Sequence, residues 1–198
     1  MGKLDSWFRR ADGSRVETEA RREDRALVQG ALTGRQQDFE VLVERYQRML
    51  HRFAHQQLGD ESAADEIVQA TFVQAYFKLQ SFRGEASFKT WLYGIALNLC
   101  RDRGRALRRS RELPVDAASE EALTASSPGL EELVLGGTLE RRIAALPDRQ
   151  RTVLSMRVWG DLAFKDIARL VGISENAAKV NYHHAIQSLR RWVQESSS

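Results

Sequence analysis

Apolar residues recur along this chain every three or four positions, which is the spacing of one face of an α-helix. The clearest stretch predicts an amphipathic helix from about Gln36 to Leu58, ended by Gly59. A shorter stretch predicts a helix at about 24–32. The apolar stripe of the longer helix consists of Phe39, Leu42, Val43, Tyr46, Met49, Leu50 and Phe53. No segment alternates with the two-residue period of a half-buried strand, so the pattern predicts an all-α protein.

Two more helices follow in the N-terminal half. Ser62 is predicted to cap the first of them, with Asp65 as the acidic half of a capping box. Its apolar stripe consists of Ala64, Ile67, Val68, Thr71, Phe72, Ala75, Tyr76 and Leu79. Ser87 is predicted to begin the second helix, whose inward positions are Phe88, Trp91, Leu92, Ile95 and Leu99. Tyr93 and Asn98 fall outside this apolar face, which predicts that both point away from the core.

The C-terminal part of the chain shows the pattern of a helix-turn-helix. The spacing predicts one helix that ends at Pro147 and another over about 148–158. Gly172 is then predicted to make a tight turn between two short helices, with Ser174 as the cap of the second. The outward face of that helix presents groups that can reach base edges or phosphates, namely Asn176, Lys179, His183 and His184. A purely structural helical hairpin is the alternative interpretation.

A segment without helical period separates the two halves. Between Glu112 and about Gly129 the composition changes to Ala, Ser, Glu and Pro, including the stretch TASSPG, and this is typical of a linker. The sequence therefore predicts two small helical domains joined by a flexible acidic linker. The predicted parts are a disordered N-terminal extension at 1–22, a first domain at 23–111, the linker at 112–136 and a second domain at 137–195.

The charges are arranged in blocks, although the formal net charge is only +3. Residues 101–111 hold six arginines and one acid, residues 112–140 hold seven acids and no Lys or Arg, and residues 141–198 hold ten Lys and Arg and five acids. Two modules that face a nucleic acid, with a repelling linker between them, would produce this pattern. A solvated basic helix end beside a disordered acidic tail would produce it equally well.

Composition and spacing also argue against several classes of protein. No run approaches the eighteen or so apolar residues of a membrane span, and the N-terminus lacks the apolar core of a secretory signal. Cys100 is the one cysteine, which excludes an internal disulfide framework, so a cytoplasmic protein without membrane insertion is predicted.

Neither a metal nor a catalytic site is predicted. His51 and His55 lie one helical turn apart, but no cluster of cysteines or carboxylates obviously joins them, so solvated histidines are favoured over a zinc site. The sequence contains no phosphate-binding glycine loop and no nucleophile elbow, so we expect no cofactor and no enzyme.

Four segments together resemble a bacterial RNA polymerase sigma factor of the extracytoplasmic-function (ECF) group, and in particular its envelope-stress branch. They are DFEVLVERYQRML, DEIVQATFVQAY, SFRGEASFKTWLYGIALN and LPDRQRTVLSMRVWGDLAFKDIARLVGISENAAKV, in this order along the chain. The resemblance covers about 23–193. It implies a specificity subunit that binds core polymerase and directs promoter recognition, DNA melting and transcription initiation. A stand-alone helix-turn-helix regulator whose N-terminal bundle dimerises is the alternative.

The resemblance also implies which residues meet which partner. The first domain would be sigma region 2, and it would dock on the coiled coil of the polymerase largest subunit through Asp65, Glu66, Gln69 and Phe72. Promoter DNA at the −10 element would be melted and held by Arg83, by Tyr93 stacking on a flipped base, by Asn98 reading it, and by phosphate contacts of Arg101, Arg105 and Arg108. Trp91 is open to both interpretations, core or base contact.

The second domain would be sigma region 4, which implies contacts with the −35 element and with the polymerase flap. The −35 residues would be Asn176, Lys179, Val180, His183 and His184. Here the chain departs from the group, because most members place several arginines on this helix whereas this chain has AKVNYHHAI. We therefore expect weak −35 binding by this domain alone. An anti-sigma factor is a further partner that the resemblance implies.

Overall fold

The computed structural model describes residues 14–112 and 139–196. Over these residues the secondary structure is helical without any strand, which confirms the all-α prediction. The helices are α1 (Ser14–Leu32), α2 (Gln36–Leu58), α3 (Glu61–Phe77), α4 (Phe88–Glu112), α5 (Asp148–Val158), α6 (Phe164–Val171) and α7 (Glu175–Ser196). A 3-10 turn at Leu79–Ser81 precedes α4, and residues 139–144 are also helical. Nearly all of the predicted linker lies outside the described residues.

Local capping chemistry sets the ends of the first helices. Gly59 ends α2 in the left-handed conformation, with φ 71°, as predicted. The prediction that Ser62 caps α3 is wrong, because Asp60 takes this place and its side chain accepts the N–H of Ala63 at 2.6 Å. Asp60 directly follows Gly59, so it is the first residue after the turn that can cap α3. Ser87 does cap α4, since its hydroxyl oxygen accepts the N–H of Thr90 at 3.0 Å.

Helix α1 begins at Ser14, so the prediction of a disordered extension is wrong for residues 14–22, while residues 1–13 lie outside the described part. Asp24 attaches this helix to α2, because its carboxylate is only 2% exposed and accepts hydrogen bonds from Tyr46 and Arg45. The two distances are 2.5 Å from the Tyr46 hydroxyl and 2.8 Å from Arg45 Nη1. A carboxylate buried with two donors is satisfied in the interior.

Helices α1 to α4 enclose a core of aromatic and branched side chains. Leu42, Leu50 and Phe53 of α2 meet Phe88 and Leu92 of α4, and all five are buried. Tyr93 is also completely buried, so the prediction that it points away from the core is wrong. Its ring packs edge-on against Phe53 at a centroid distance of 5.2 Å, and its hydroxyl donates to the carbonyl of Met49 at 3.4 Å.

Helices α6 and α7 form the predicted helix-turn-helix. Gly172 makes the turn with φ 80°, and the hydroxyl oxygen of Ser174 accepts the N–H of Ala177 at 3.1 Å. Ile167 and Ala178 are fully buried between the two helices and their neighbours. A separate small core holds this unit together and consists of Ile143, Leu146, Leu154, Ala185 and Ile186.

The two helical units pack against each other, a contact that the sequence did not predict. The apolar core of the first unit continues into Val153, Met156, Leu162 and Ile167 of the second. Hydrogen bonds also cross the boundary, since Thr152 donates to the side-chain oxygen of Gln57 at 2.8 Å and Gln57 Nε2 donates to Ser155 at 3.5 Å. Tyr93 is buried in this arrangement because it is covered on one side by α2 and on the other by Gly160, whose Cβ, if present, would lie 2.9 Å from the ring.

Candidate polymerase and promoter interfaces

The outward face of α3 carries three of the four side chains predicted to dock on polymerase. Asp65, Glu66 and Gln69 are exposed in the first half of the helix, with Gln69 about one turn after the two acids. Phe72, the fourth, is only 7% exposed and packs against Phe39. Phe72 therefore supports this face from beneath and does not form part of its surface.

The acids of this face are paired within the chain. The nearest distances are 3.2 Å from Asp65 Oδ1 to His51 Nε2 and 3.4 Å from Glu66 Oε2 to Arg103 Nη2. Glu61 reaches both His51 and His55, at 3.5 and 3.6 Å. Carboxylates from α3 therefore do join the two histidines, contrary to the sequence interpretation, because the turn at Gly59 folds α3 back on α2. The described residues nevertheless hold no group of three or more side chains assembled as a metal site.

The same helix ends in an apolar surface that sequence reasoning missed. Val73, Tyr76 and Phe77 are 50%, 52% and 80% exposed. The sequence predicts Tyr76 in the buried stripe, and this prediction is wrong, although its ring packs edge-on against Phe39 with 5.1 Å between the ring centroids. Two adjacent aromatic residues at a helix end were the signal, since a helical stripe cannot bury both. Between Asp65 and Phe72 the surface is polar, which argues against a dimerising face there.

The loop Arg83–Ser87 links the 3-10 turn to α4, and because it is predicted to meet the −10 element it is called the −10 loop below. Gly84 lies in the left-handed region with φ 71°, and its carbonyl accepts a hydrogen bond from Arg25 Nη2 of α1 at 3.3 Å. A cavity of about 120 Å³ lies between the loop and α1, and a second one of about 320 Å³ borders the loop without any lining residue from α1. The larger cavity is also lined by Trp91 and by Arg169 of α6. Trp91 is half-buried against Phe82 and Phe88, so it belongs both to the core and to the cavity wall.

Helix α4 presents most of the remaining residues that are predicted to meet the −10 element. Asn98, Arg101 and Arg105 are exposed, and Arg105 forms an ion pair with Asp102. The side chain of Arg108 lies outside the described residues. Tyr93 has no exposed surface, so it cannot stack on a base in this arrangement. Burial also raises the pKa of its hydroxyl, because the charged phenolate would lose its water.

A basic cleft of about 460 Å³ lies between α4 and α5. Arg101 and Arg105 line it from the first unit, and Arg149 and Arg151 line it from the second. Cys100 forms part of its floor and is 5% exposed. Desolvation raises the pKa of the Cys100 thiol to about 12. The two predicted phosphate contacts therefore share one positively charged surface with α5.

Helix α7 presents the predicted −35 residues together. All five are exposed, and they are Asn176, Lys179, Val180, His183 and His184. The ammonium of Lys179 pairs with Glu175 at 2.7 Å. This pair places an acid beside the fixed positive charge, which reduces the field that a phosphate would meet.

Comparison with known proteins identifies the family of this chain. Models of Sigma-70 region 2 and of Sigma-70 region 4 match residues 42–111 and 137–189. The ECF RNA polymerase sigma-E factor of Escherichia coli K12 is 30% identical over 183 residues, which cover 86% of this chain and 94% of that protein. This chain belongs to the ECF sigma factors of bacterial RNA polymerase. It therefore directs promoter recognition by the polymerase in transcription initiation.

A second relative is also an ECF sigma factor. The ECF sigma factor SigW of Bacillus subtilis is 29% identical over 172 residues, covering 82% of this chain and 92% of SigW. Two solved structures share the fold. One is CnrH in complex with the cytosolic domain of CnrY, with TM-score 0.64, 24% identity and coverage of 87% of this chain and 98% of that one.

The other solved structure is the sigma factor RpoE in complex with the anti-sigma factor NepR from Bartonella quintana. Its TM-score is 0.60 at 21% identity, with coverage of 79% of this chain and 97% of that one. Among the residues that the structure describes, no helix is long and apolar enough to cross a membrane.

Proposed function

We propose that this ECF sigma factor uses three separate surfaces. The outward face of α3 docks on core polymerase, the −10 loop and the outward face of α4 hold the melted −10 element, and α7 contacts the −35 element. The observation that carries the proposal is the exposure of Asn98 on α4, the helix that follows the polar loop and also carries the half-buried Trp91 of the cavity wall. Such a combination of amide and aromatic is what an unstacked base needs.

Docking through α3 would exploit the exposed acids without a large change of shape. Asp65 and Glu66 are held by His51 and Arg103 at 3.2 and 3.4 Å, so their positions are restricted before a partner arrives. A basic partner surface would compete for the same carboxylates. Electrostatic complementarity of this kind gives orientation and association rate more than affinity. The exposed apolar end of α3 supplies area for affinity.

Promoter melting would depend on capture of an unpaired base. Extruding a base costs a few kcal/mol, which contacts to its edge and faces must recover. Asn98 offers both a donor and an acceptor to the base edge. Arg101 and Arg105 are exposed on α4, and with Arg108 we assign them to the phosphates that follow. Because Tyr93 is buried, we assign stacking on the unpaired base to Trp91 instead.

Binding at the −35 element would place α7 in the major groove, where a helix fits. Asn176 can make paired hydrogen bonds to a base, and Val180 can contact a thymine methyl. Lys179, His183 and His184 would face phosphates or base edges. This helix has a single lysine on its exposed −35 face, so the contribution of counterion release should be small.

Several further properties follow from the same proposal. The protein acts as a specificity subunit of the polymerase, without catalytic chemistry of its own, and works in the cytoplasm. An anti-sigma factor regulates it, which is supported by the relative RpoE having been solved with NepR. The acidic linker lies outside the described residues, and we assign it a path through the polymerase near the template strand or the RNA exit path.

Docking is tested by charge reversal. The Asp65→Lys, Glu66→Lys double variant should fail to co-purify with core polymerase while its helicity stays unchanged. The matched control is the Glu19→Lys, Glu195→Lys double variant, which changes net charge equally at two other exposed acids. Undiminished binding by the first variant would remove this face from the mechanism.

Base capture is tested on two forms of one promoter. Asn98→Ala should reduce open-complex formation on duplex promoter, and the loss should be partly recovered on a template already unpaired at the −10 bases. Recovery is expected because the cost of unpairing no longer falls on the protein. Normal transcription by Asn98→Ala on every −10 sequence would contradict base reading by this residue.

A further inference from the structure

We propose that Arg25 is a positioning residue for promoter recognition: it fixes the −10 loop by holding the carbonyl of Gly84. The inference rests on the proposed function of this loop. Arg25 belongs to α1, which precedes the part of the chain matched by the Sigma-70 region 2 model, residues 42–111. Helix α1 thereby contributes to the reading of the −10 element without touching DNA.

Arg25 extends from a firmly held part of α1. The preceding residue, Asp24, is 2% exposed and accepts hydrogen bonds from Tyr46 and Arg45 of α2. One turn further on, Val28 is also 2% exposed and belongs to the core. The backbone at Arg25 is therefore held between two buried side chains. A side chain whose backbone is held in place can restrain the group that it binds.

The −10 loop needs this restraint because packing holds it poorly. Cavities of about 120 and 320 Å³ both border it, so part of its surface has no packing partner. Gly84 is in the left-handed region, with φ 71°, where a glycine has other conformations within reach. The guanidinium of Arg25 lies along this glycine and donates to its carbonyl at 3.3 Å. This hydrogen bond selects one of the loop's conformations.

The restraint matters at the larger of the two cavities, which no residue of α1 lines. Arg83 to Ala86 of the loop line this cavity of about 320 Å³ together with Trp91, and this is the surface we assign to the unpaired base. Hydrogen bonds to a base edge lose strength steeply when angles or distances change. A loop that can move loses discrimination between bases before it loses binding altogether. Arg25 is therefore expected to affect base selectivity more than overall activity.

The test is run-off transcription by holoenzyme reconstituted from the full chain and core polymerase. A promoter found in a genomic library is used with its own −10 element, with each −10 base substituted, and in a form pre-opened at −10. Arg25→Ala should lower the ratio of transcription between the original and the substituted −10 elements about three- to tenfold, which is the effect of losing one hydrogen bond. Arg25→Lys should retain part of the ratio, since a lysine keeps the charge and reach but not the planar fork.

Two measurements separate positioning from general damage. The Arg25→Ala variant should bind core polymerase and unfold in urea like the wild type. Arg22→Ala is the matched control, because Arg22 is an exposed arginine of α1 that lines neither cavity beside the loop. A uniform loss on every template, including the pre-opened one, would overturn the proposal, since a loop restraint acts on selectivity.

Gly84→Ala provides an independent variant. An added Cβ would meet no atom closer than 3.7 Å, so sterics permit it, but φ 71° is unfavourable for alanine and the loop should shift. This variant should reduce selectivity as Arg25→Ala does, and the double variant should be no worse than either single one. Additive losses would show that the two residues act separately and would overturn the proposal.

The Asn98→Ala variant distinguishes this inference from the proposed function beneath it. If Asn98→Ala alters selectivity at −10 and Arg25→Ala does not, the surface reads DNA but Arg25 does not position it. If neither variant changes selectivity, the assignment of the −10 surface fails and the role of Arg25 fails with it.

Discussion

Replacing Gly160 with alanine tests the packing of the two helical units. The new Cβ would lie 2.6 Å from the carbonyl oxygen of Met156 and 2.9 and 3.0 Å from Cζ and the hydroxyl oxygen of Tyr93. Tyr93 has no exposed surface and packs against Phe53, so its ring cannot move aside. The carbonyl of Met156 is also fixed, because it accepts the N–H of Leu162 at 3.1 Å.

Because neither Tyr93 nor the Met156 carbonyl can move, the added methyl group must either push the two units apart or strain the interior. Overpacking of a close-packed interior costs about 1 to 3 kcal/mol. We expect Gly160→Ala to lower the free energy of unfolding by about that amount in urea denaturation followed by circular dichroism. Small-angle scattering should at the same time show a larger radius of gyration, since separation of the units relieves the contact with Tyr93.

Gly104→Ala is the matched control. Gly104 lies within α4, and a Cβ there would meet nothing within 4 Å. Because alanine favours a helix over glycine by up to about 1 kcal/mol, this variant should be slightly more stable than the wild type. In the Gly160→Ala background, Tyr93→Leu should recover part of the loss by removing the ring atoms. A Gly160→Ala protein as stable and compact as the wild type would refute the reasoning, because it would mean that Gly160 and Tyr93 are apart in solution.

Three further predictions concern capping, ionisation and salt. Asp60→Ala should lower the free energy of unfolding by about 1 kcal/mol, seen as a lower urea midpoint, because the N–H of Ala63 loses its acceptor. Burial raises the pKa of Cys100 from 9.0 to about 12, so the unfolded chain releases this proton at lower pH than the native one. The contribution of Cys100 to the free energy of unfolding should therefore be constant below pH 9 and fall as the pH rises from 9 towards 12, as measured by urea titrations. Lys179→Gln should flatten the slope of log K against log salt for −35 duplex by about 0.9, measured by fluorescence anisotropy; an unchanged slope would exclude a phosphate contact.

The parts predictable from the sequence are those that depend on neighbouring residues. Helix α2 ends at Gly59, and α6 and α7 meet at Gly172 with Ser174 as cap, as the sequence indicates, because a left-handed glycine and a capping hydroxyl act within one turn. The exposure of Asn98 also follows from helical spacing alone. These features need no knowledge of the rest of the fold.

The errors arise where distant segments meet. Tyr93 lies off the apolar stripe of α4, yet it is buried because the second unit covers a second face of this helix. Residues 14–22 carry too few apolar side chains to reveal a helix, and α1 is held instead by the buried carboxylate of Asp24. The pairing of His51 with Asp65 requires the fold-back at Gly59. Helical periodicity contains none of this information.

The position of Cys100 gives the protein a built-in chemical probe. It is the one cysteine of the chain, and it lies on the floor of the cleft between the two units. A thiol-specific reagent can react only when that cleft opens, because the sulfur is buried and the thiol has a pKa of about 12 in the native protein. The rate of labelling, divided by the rate for an unfolded chain, therefore reports how often the units part. Partners that hold the units open should speed the reaction, and partners that clamp them shut should slow it, without any engineered label.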